Sequence, residues 1–227
     1  RDNSAKRWRD HKWYGHSCFL LTDSNGSTVL TDPCDPSYGY EIPPMHADIV
    51  TISHEHNDHN NISILRGNTE IIRSPGEYNV KGIHITGVET LHDSSGGALR
   101  GKNTMFIYDI DDMRILHCGD LGMIPDEETI AKVGHIDIML VPIGAIYTID
   151  DLEARELANI LKPKVVIPMH YKTPKLKLEL CPLAPFIDAA KDCRIHNLND
   201  CEATITKMSL GEDRVLILRP YDAERDE

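Results

Sequence analysis

No stretch of about eighteen consecutive apolar residues occurs in the 227-residue chain, so no membrane-spanning helix is expected. Paired cysteine spacing is missing too. The six thiols, Cys18, Cys34, Cys118, Cys181, Cys193 and Cys201, include no Cys-x-x-Cys, which fits reduced thiols better than a disulfide framework. Cys118 stands out only for its nearness to Asp120. Positive charge is scarce: 24 Lys and Arg face 36 Asp and Glu, a net −12. General attraction to nucleic acid or to an anionic membrane is therefore not expected, and no amphipathic basic stretch is available to dock on lipid. Low-complexity linkers and sequence repeats are also missing, and Arg1-Asp2-Asn3-Ser4-Ala5-Lys6-Arg7 does not read as a signal peptide. These absences predict a cytoplasmic protein, with residues 1–227 forming one domain.

What the chain does have is concentrated in one place. His54-Glu55-His56-Asn57-Asp58-His59 puts four metal-binding side chains within six positions, directly after the apolar run Ala47 to Ser53. In extended backbone, residues two apart point the same way, so His54 and His56 can reach one ion. Past a bend at Asn57, predicted to enter a helix, Asp58 and His59 aim at a second position nearby, the layout of a two-metal site. Imidazole and carboxylate suit zinc, manganese or iron, and the lack of thiolate argues against a closed structural zinc knot.

Apolar alternation places the rest. Trp13 to Thr22 and Ser27 to Thr31 read as the arms of a hairpin around Asp23-Ser24-Asn25-Gly26. Further strands are predicted over 47–53, 70–73, 82–90, 103–109, 113–118, 136–141 and 164–168, with short strands in the tail 194–219. Helices are predicted over 60–66, 127–133 and 150–161, the last with Leu152, Leu157, Ile160 and Leu161 as its apolar face and Thr148 or Asp150 as its cap. Two β-then-α halves emerge. Three polar residues each follow an apolar run: His92 after Thr90-Leu91, Asp120 after Leu116 to Gly119, and His170 after Ile167-Pro168-Met169. Side chains just past strand ends converge on one rim of a layered fold, so all three can meet the histidine loop. His117, on an apolar strand, reads as a packed residue. His11, His46, His84, His135 and His196 have no ligand company.

With these residues in place the chain resembles the metallo-β-lactamase fold superfamily, in particular the branch with L-ascorbate-6-phosphate lactonase and N-acyl phosphatidylethanolamine phospholipase D. The matching segments are His54 to His59, Gly15-His16-Ser17, Leu30-Thr31-Asp32-Pro33, His92-Asp93, Gly119-Asp120, Pro142-Ile143-Gly144 with Tyr147-Thr148, and Ile167 to Tyr171. The resemblance implies an α+β fold, a four-layer αβ/βα sandwich of two mixed sheets flanked by helices. It also implies a hydrolase with two divalent ions, zinc first and then manganese or iron: His54, His56 and His92 on one, Asp58, His59 and His170 on the other, and Asp120 bridging. A bridging hydroxide would attack the substrate, and Asp58 would orient it or take its proton. Asp32 is expected to steady a ligand histidine or cap the turn at Pro33, and His16 to line the pocket or pack as a buried imidazole. Tyr147 and Tyr171 are candidate donors to a substrate oxygen.

Departures from related patterns narrow the substrate. Antibiotic hydrolysis is not expected of a chain with Asp120 where some exported relatives carry cysteine. Nuclease relatives rely on a basic surface or a clamping domain, and neither is read here. A small ester, lactone or phosphodiester is left as the substrate class, with no nucleic acid and no membrane as partner and a homo-oligomer left open. The alternative is a non-hydrolytic metal-binding module or a di-iron redox protein.

Overall fold

The computed structural model describes residues 11–226, so the amino-terminal segment Arg1 to Arg7 lies outside it. Apolar alternation along the first strands builds two cores at once. In β1 (His11–Gly15), β2 (Cys18–Thr22), β3 (Thr28–Thr31) and β4 (Ile49–Thr51), one face carries Trp13, Phe19, Leu21, Val29 and Ile49 into the main core. The opposite face carries Tyr14, Cys18, Leu30 and Val50 into a second, smaller one. A strand whose two faces are both apolar is covered on both sides. With β5 (Glu70–Ile72) and the short β13 (Glu202–Ala203) these strands form a six-stranded sheet in the order β13-β1-β2-β3-β4-β5.

The second sheet has eight strands, β12-β14-β11-β10-β9-β8-β7-β6. They are β6 (Gly76–Val80), β7 (Ile83–Leu91), β8 (Lys102–Ile110), β9 (Met113–His117), β10 (Ile138–Pro142), β11 (Val165–Met169), β12 (Arg194–Asn197) and β14 (Arg214–Ile217). Both sheets are mixed, as expected, and the main core lies between them and under the helices. The helices are α1 (Glu127–Val133), α2 (Asp151–Leu161), α3 (Ala184–Ala189) and α4 (Ala223–Asp226). Over the outer face of the six-stranded sheet, cover comes from Tyr40, Ile42, Ile64, Leu176 and Leu180, on loops and a 3-10 turn.

Several local expectations change. Trp13 to Thr22 is not one strand but two, turned at Gly15 and His16, both left-handed at φ 108° and 53°. A Cβ on Gly15 would sit 2.4 Å from the Tyr40 ring, so only glycine permits the turn. The run 60–66 is not α-helical; it holds a single 3-10 turn, Ile62–Ile64. In α2 the buried face is Ala154, Leu157, Ala158 and Leu161, while Leu152 and Ile160 are exposed. The two small alanines complete the i, i+3, i+4, i+7 stripe that larger neighbours obscured. Asp150 is the cap, in a reciprocal capping box with Glu153.

Candidate metal centre

Topology decides where the strand ends go. β7 and β9 both run antiparallel to β8, and β9, β10 and β11 are mutually parallel. The carboxyl ends of β7, β9 and β11 therefore share one rim, and they deliver His92, Asp120 and His170 there. In the other sheet β3 and β4 are parallel, so Asp32 and the histidine loop also follow carboxyl ends. Within that loop the His59 amide donates to the His56 carbonyl at 2.9 Å, closing a turn over Asn57 and Asp58. This turn, rather than the expected helix, re-aims Asp58 and His59.

The side chains meet in two groups at the rim, and a third, Asp32 with His54 and His59, overlaps both from beneath the loop. One nitrogen each from His54, His56 and His92 lie within 4.8 Å of one another. One donor atom each from His16, Asp58, His59 and His170 do the same. Asp120 stands between the groups. Its Oδ2 lies 3.4 Å from His92 Nε2, 3.7 Å from His54 Nε2 and 3.2 Å from His59 Nε2, and its Oδ1 is 3.2 Å from His170 Nε2.

The tautomers follow from the neighbours. Asp32 accepts from the Ser53 amide, from Ser53 Oγ and from His59 Nδ1 at 2.9 Å. Because the Ser53 hydroxyl proton is spent on Asp32, Ser53 Oγ accepts from His54 Nδ1, also at 2.9 Å. Both rings thus carry their proton on Nδ1 and turn the Nε2 lone pair toward Asp120. Those Nε2 atoms, with His170 Nε2, are buried and make no hydrogen bond, although a carboxylate oxygen is 3.2–3.7 Å from each. Lone pairs close to a carboxylate but not aimed along a hydrogen bond point at a shared space between donors. Neutral imidazole and carboxylate around such a space suit a borderline divalent ion, so the residues fit a metal.

Electrostatics agree. Burial alone would raise Asp58 and Asp120, but facing imidazoles override it, His59 and His16 at Asp58 and His170 and His59 at Asp120, and both stay ionised. Burial would lower His59, yet Asp120 and Asp58 hold it well above the usual imidazole range, so these carboxylates favour a positive charge at Nε2, where a bound cation would displace the proton and take the lone pair. Burial, helped by His59, pushes His54 down to about 3, so it offers a lone pair across the physiological range.

The flanking residues divide. Asp32 is fully buried beneath the loop and orients His59 through Nδ1, while its backbone at φ 36° also turns the chain. His16 is fully buried, 4.0 Å from the His170 ring between centroids, with Nε2 2.9 Å from Asp58 Oδ2. It braces Asp58 and does not line the pocket. Tyr171 is a correction: Trp13 lies 5.6 Å away between ring centroids, and the phenol is 6 % exposed in the core. His170 at φ 51° bends the strand end, and Tyr171 turns inward. Tyr147 does border the opening, a cavity of about 460 Å³ that also takes in Tyr38, Asn57, Arg100, Leu178 and Glu55, whose carboxylate is held by Arg73, beside His56, Asp58, His92 and Asp120. A larger cavity of about 650 Å³ lies among β12, β13 and β14 and touches none of these donors. Cys118 is buried with its thiol pushed up by desolvation, and His117 bonds the Ser17 carbonyl at 2.9 Å as a packing residue.

Some contributors had no sequence signal. Asn103 is buried and donates to Thr90 Oγ1 and the Cys118 carbonyl while accepting from the Asp120 amide, tying the ends of β7 and β9 together. Gly122 and Gly144 let neighbouring backbone press against ligand-bearing ends: an added Cβ would meet His92 C and His170 O, each at 2.2 Å.

The family model described as beta-lactamase superfamily domain matches residues 11–170. A UPF0173 metal-dependent hydrolase of Thermoplasma acidophilum is 31% identical over 187 residues, covering 71% of this chain and 82% of the relative. One from Methanospirillum hungatei is 29% identical, covering 80% and 92%. A crystal structure from Thermotoga maritima, named a candidate Zn-dependent hydrolase of the metallo-beta-lactamase superfamily, superposes with TM-score 0.78 at 37% identity over 93% of this chain and 98% of that one.

Proposed function

The chain belongs to the beta-lactamase superfamily domain family and is a metal-dependent hydrolase of the metallo-β-lactamase superfamily; we propose that its centre holds two divalent ions and cleaves a small ester, lactone or phosphodiester. His54, His56 and His92 would hold one ion, Asp58, His59 and His170 the other, with Asp120 shared. Zinc is the first choice on donor chemistry, manganese or iron the next. When bound, the ions would supply a shared water of lowered pKa and a charge facing the developing oxyanion.

The chain's own groups do the rest. Asp32 and Ser53 keep His59 and His54 in the Nδ1–H tautomer, so neither ring must reorganise to bind. Asp58 is the catalytic candidate: with Oδ2 fixed by His16, its carboxylate orients the attacking water toward the substrate. Tyr147 borders the cavity, and its hydroxyl is the candidate donor to a substrate oxygen. No helix of the described residues is long and apolar enough to cross a membrane, and the acidic chain favours a small-molecule substrate over nucleic acid.

The observation that carries this reading is the convergence of three buried, unbonded Nε2 atoms on the carboxylate of Asp120. The test is elemental analysis of protein purified without added metal, followed by a panel of esters, lactones and phosphodiesters. Turnover lost on chelation and cut by at least about 100-fold in His56→Ala is expected. Metal-loaded protein that hydrolyses no member of the panel, or His56→Ala that changes nothing, would refute hydrolysis at this centre. Two irons with a visible absorption band would turn the reading to redox.

A further inference from the structure

One cation at the cavity mouth has no acidic partner. Arg73, Arg114, Arg155, Arg194 and Arg219 each pair with a carboxylate, and Arg66 and Arg214 are engaged by backbone carbonyls away from the cavity. The Arg100 guanidinium has no carboxylate among its partners within the described residues, and Arg100 is the only Lys or Arg of these that lines the cavity with His56, Asp58, His92 and Asp120. One guanidinium N–H donates to the Ile146 carbonyl at 3.3 Å, and the group lies 5.2 Å from the Tyr147 ring centroid. A guanidinium has five N–H donors in a fork, so most of it is available.

The position of Arg100 is built from the metal centre outward. Asp93, the residue after His92, accepts four backbone amides: Ser95 at 2.8 Å, Gly97 at 3.0 Å, Leu99 at 3.1 Å and Arg100 itself at 2.7 Å. That single carboxylate folds the glycine-rich segment after β7 into a fixed loop and anchors the Arg100 backbone beside the cavity. The ring of Tyr147 holds the guanidinium from the other side, as cation–π partners do. A charged fork held at both ends, unneutralised and facing a cavity of about 460 Å³, is organised for an anion.

We propose that Arg100 is a specificity residue: its guanidinium captures an anionic oxygen group, carboxylate or phosphate, that the substrate carries apart from the bond being cleaved. The inference rests on the hydrolytic reading of the same cavity. It narrows the substrate class to small anionic esters, lactones or phosphodiesters with a second negative group. Tyr147 serves here as a positioning residue for Arg100, beside its place at the cavity wall.

The test uses metal-loaded protein and ligands that share one carboxylate. Calorimetric titration compares butyrate, glutarate and 4-phosphonobutyrate, so only the second group differs. A charge-assisted bidentate contact should make one of the two dianionic ligands bind at least about tenfold tighter than butyrate, and the tighter one identifies the anion. Arg100→Ala should bring that ratio to within about twofold, while Arg100→Lys keeps part of it, since it retains charge but not the fork. The same ratio should appear in kcat/KM for the p-nitrophenyl esters of glutarate and butyrate. Equal binding of all three ligands by the wild type, or a preference that survives Arg100→Ala, would overturn the assignment. Ligand titration reads Arg100 without turnover, so a failure of hydrolysis on every substrate is told apart from a failure at Arg100.

Discussion

Gly122 gives the sharpest perturbation of the metal centre that touches no donor atom. It follows Leu121 on the segment after β9, and its amide donates to the Leu91 carbonyl at 2.9 Å. An alanine Cβ there would stand 2.2 Å from His92 C, 2.3 Å from Asp93 N and 2.5 Å from His92 O, where ordinary contact begins near 3.4 Å. The obstruction is backbone and cannot swing away, so the end of β7 must move by more than 1 Å. Overpacking of this kind costs about 1–3 kcal/mol, and a backbone obstruction belongs at the upper end. For a chain of this length about 3 kcal/mol corresponds to a fall in Tm of about 6–12 °C. The displaced residue is His92, so on the proposed division the ion assigned to His54, His56 and His92 should weaken before the other. Thermal unfolding by circular dichroism and stepwise metal titration of Gly122→Ala read both effects. Gly144→Ala, whose Cβ would press on His170 O at 2.2 Å, should weaken the other ion instead. A Gly122→Ala protein with Tm within about 2 °C of the wild type and an unchanged titration would refute the packing argument.

Asp32→Asn should keep the fold but weaken metal binding at the proposed Asp58–His59–His170 position by about 10–100-fold, because His59 loses the carboxylate that fixes its tautomer; an unchanged metal affinity would remove Asp32 from that role. Asp137 links three elements away from the centre, accepting from the Arg114 amide, His135 and Lys207. Burial alone would raise its carboxyl, but these donors hold it below the ordinary carboxylate value. A depressed folded pKa contributes stability that is present above the unfolded value and lost as pH falls through the folded one. Asp137→Asn should therefore be less stable than the wild type at neutral pH, with the gap closing below about pH 4 in denaturant titrations. A gap that does not narrow as pH falls below the ordinary carboxylate range would point to packing rather than charge.

The histidine loop was legible because four donors in sequence need no knowledge of the fold. His92, Asp120 and His170 were legible for another reason: each ends an apolar run, and strand ends in layered folds converge. What was hidden lacked a sequence pattern. The turn at Gly15 and His16 interrupts a stretch apolar on both sides, so it read as continuous strand. β6 is largely exposed and polar, without the alternation that marks a half-buried strand. α3 is six residues long with proline near its start, too short for a helical stripe to register. Asn103 and Arg100 act only through topology, one between strands adjacent in the sheet and the other across two loops. Tyr171 failed as a substrate donor because direction after a left-handed residue cannot be read from spacing.

Seven side chains from four strand ends are proposed to hold two ions around Asp120. The most direct test is an anomalous-difference map from crystals of the metal-loaded protein, collected at the absorption edge of the metal found by elemental analysis. Two peaks are expected, one enclosed by His54, His56 and His92 and one by Asp58, His59 and His170, with the Asp120 carboxylate between them. A single peak, or metal bound away from Asp120, would rule out a two-ion centre built on that carboxylate.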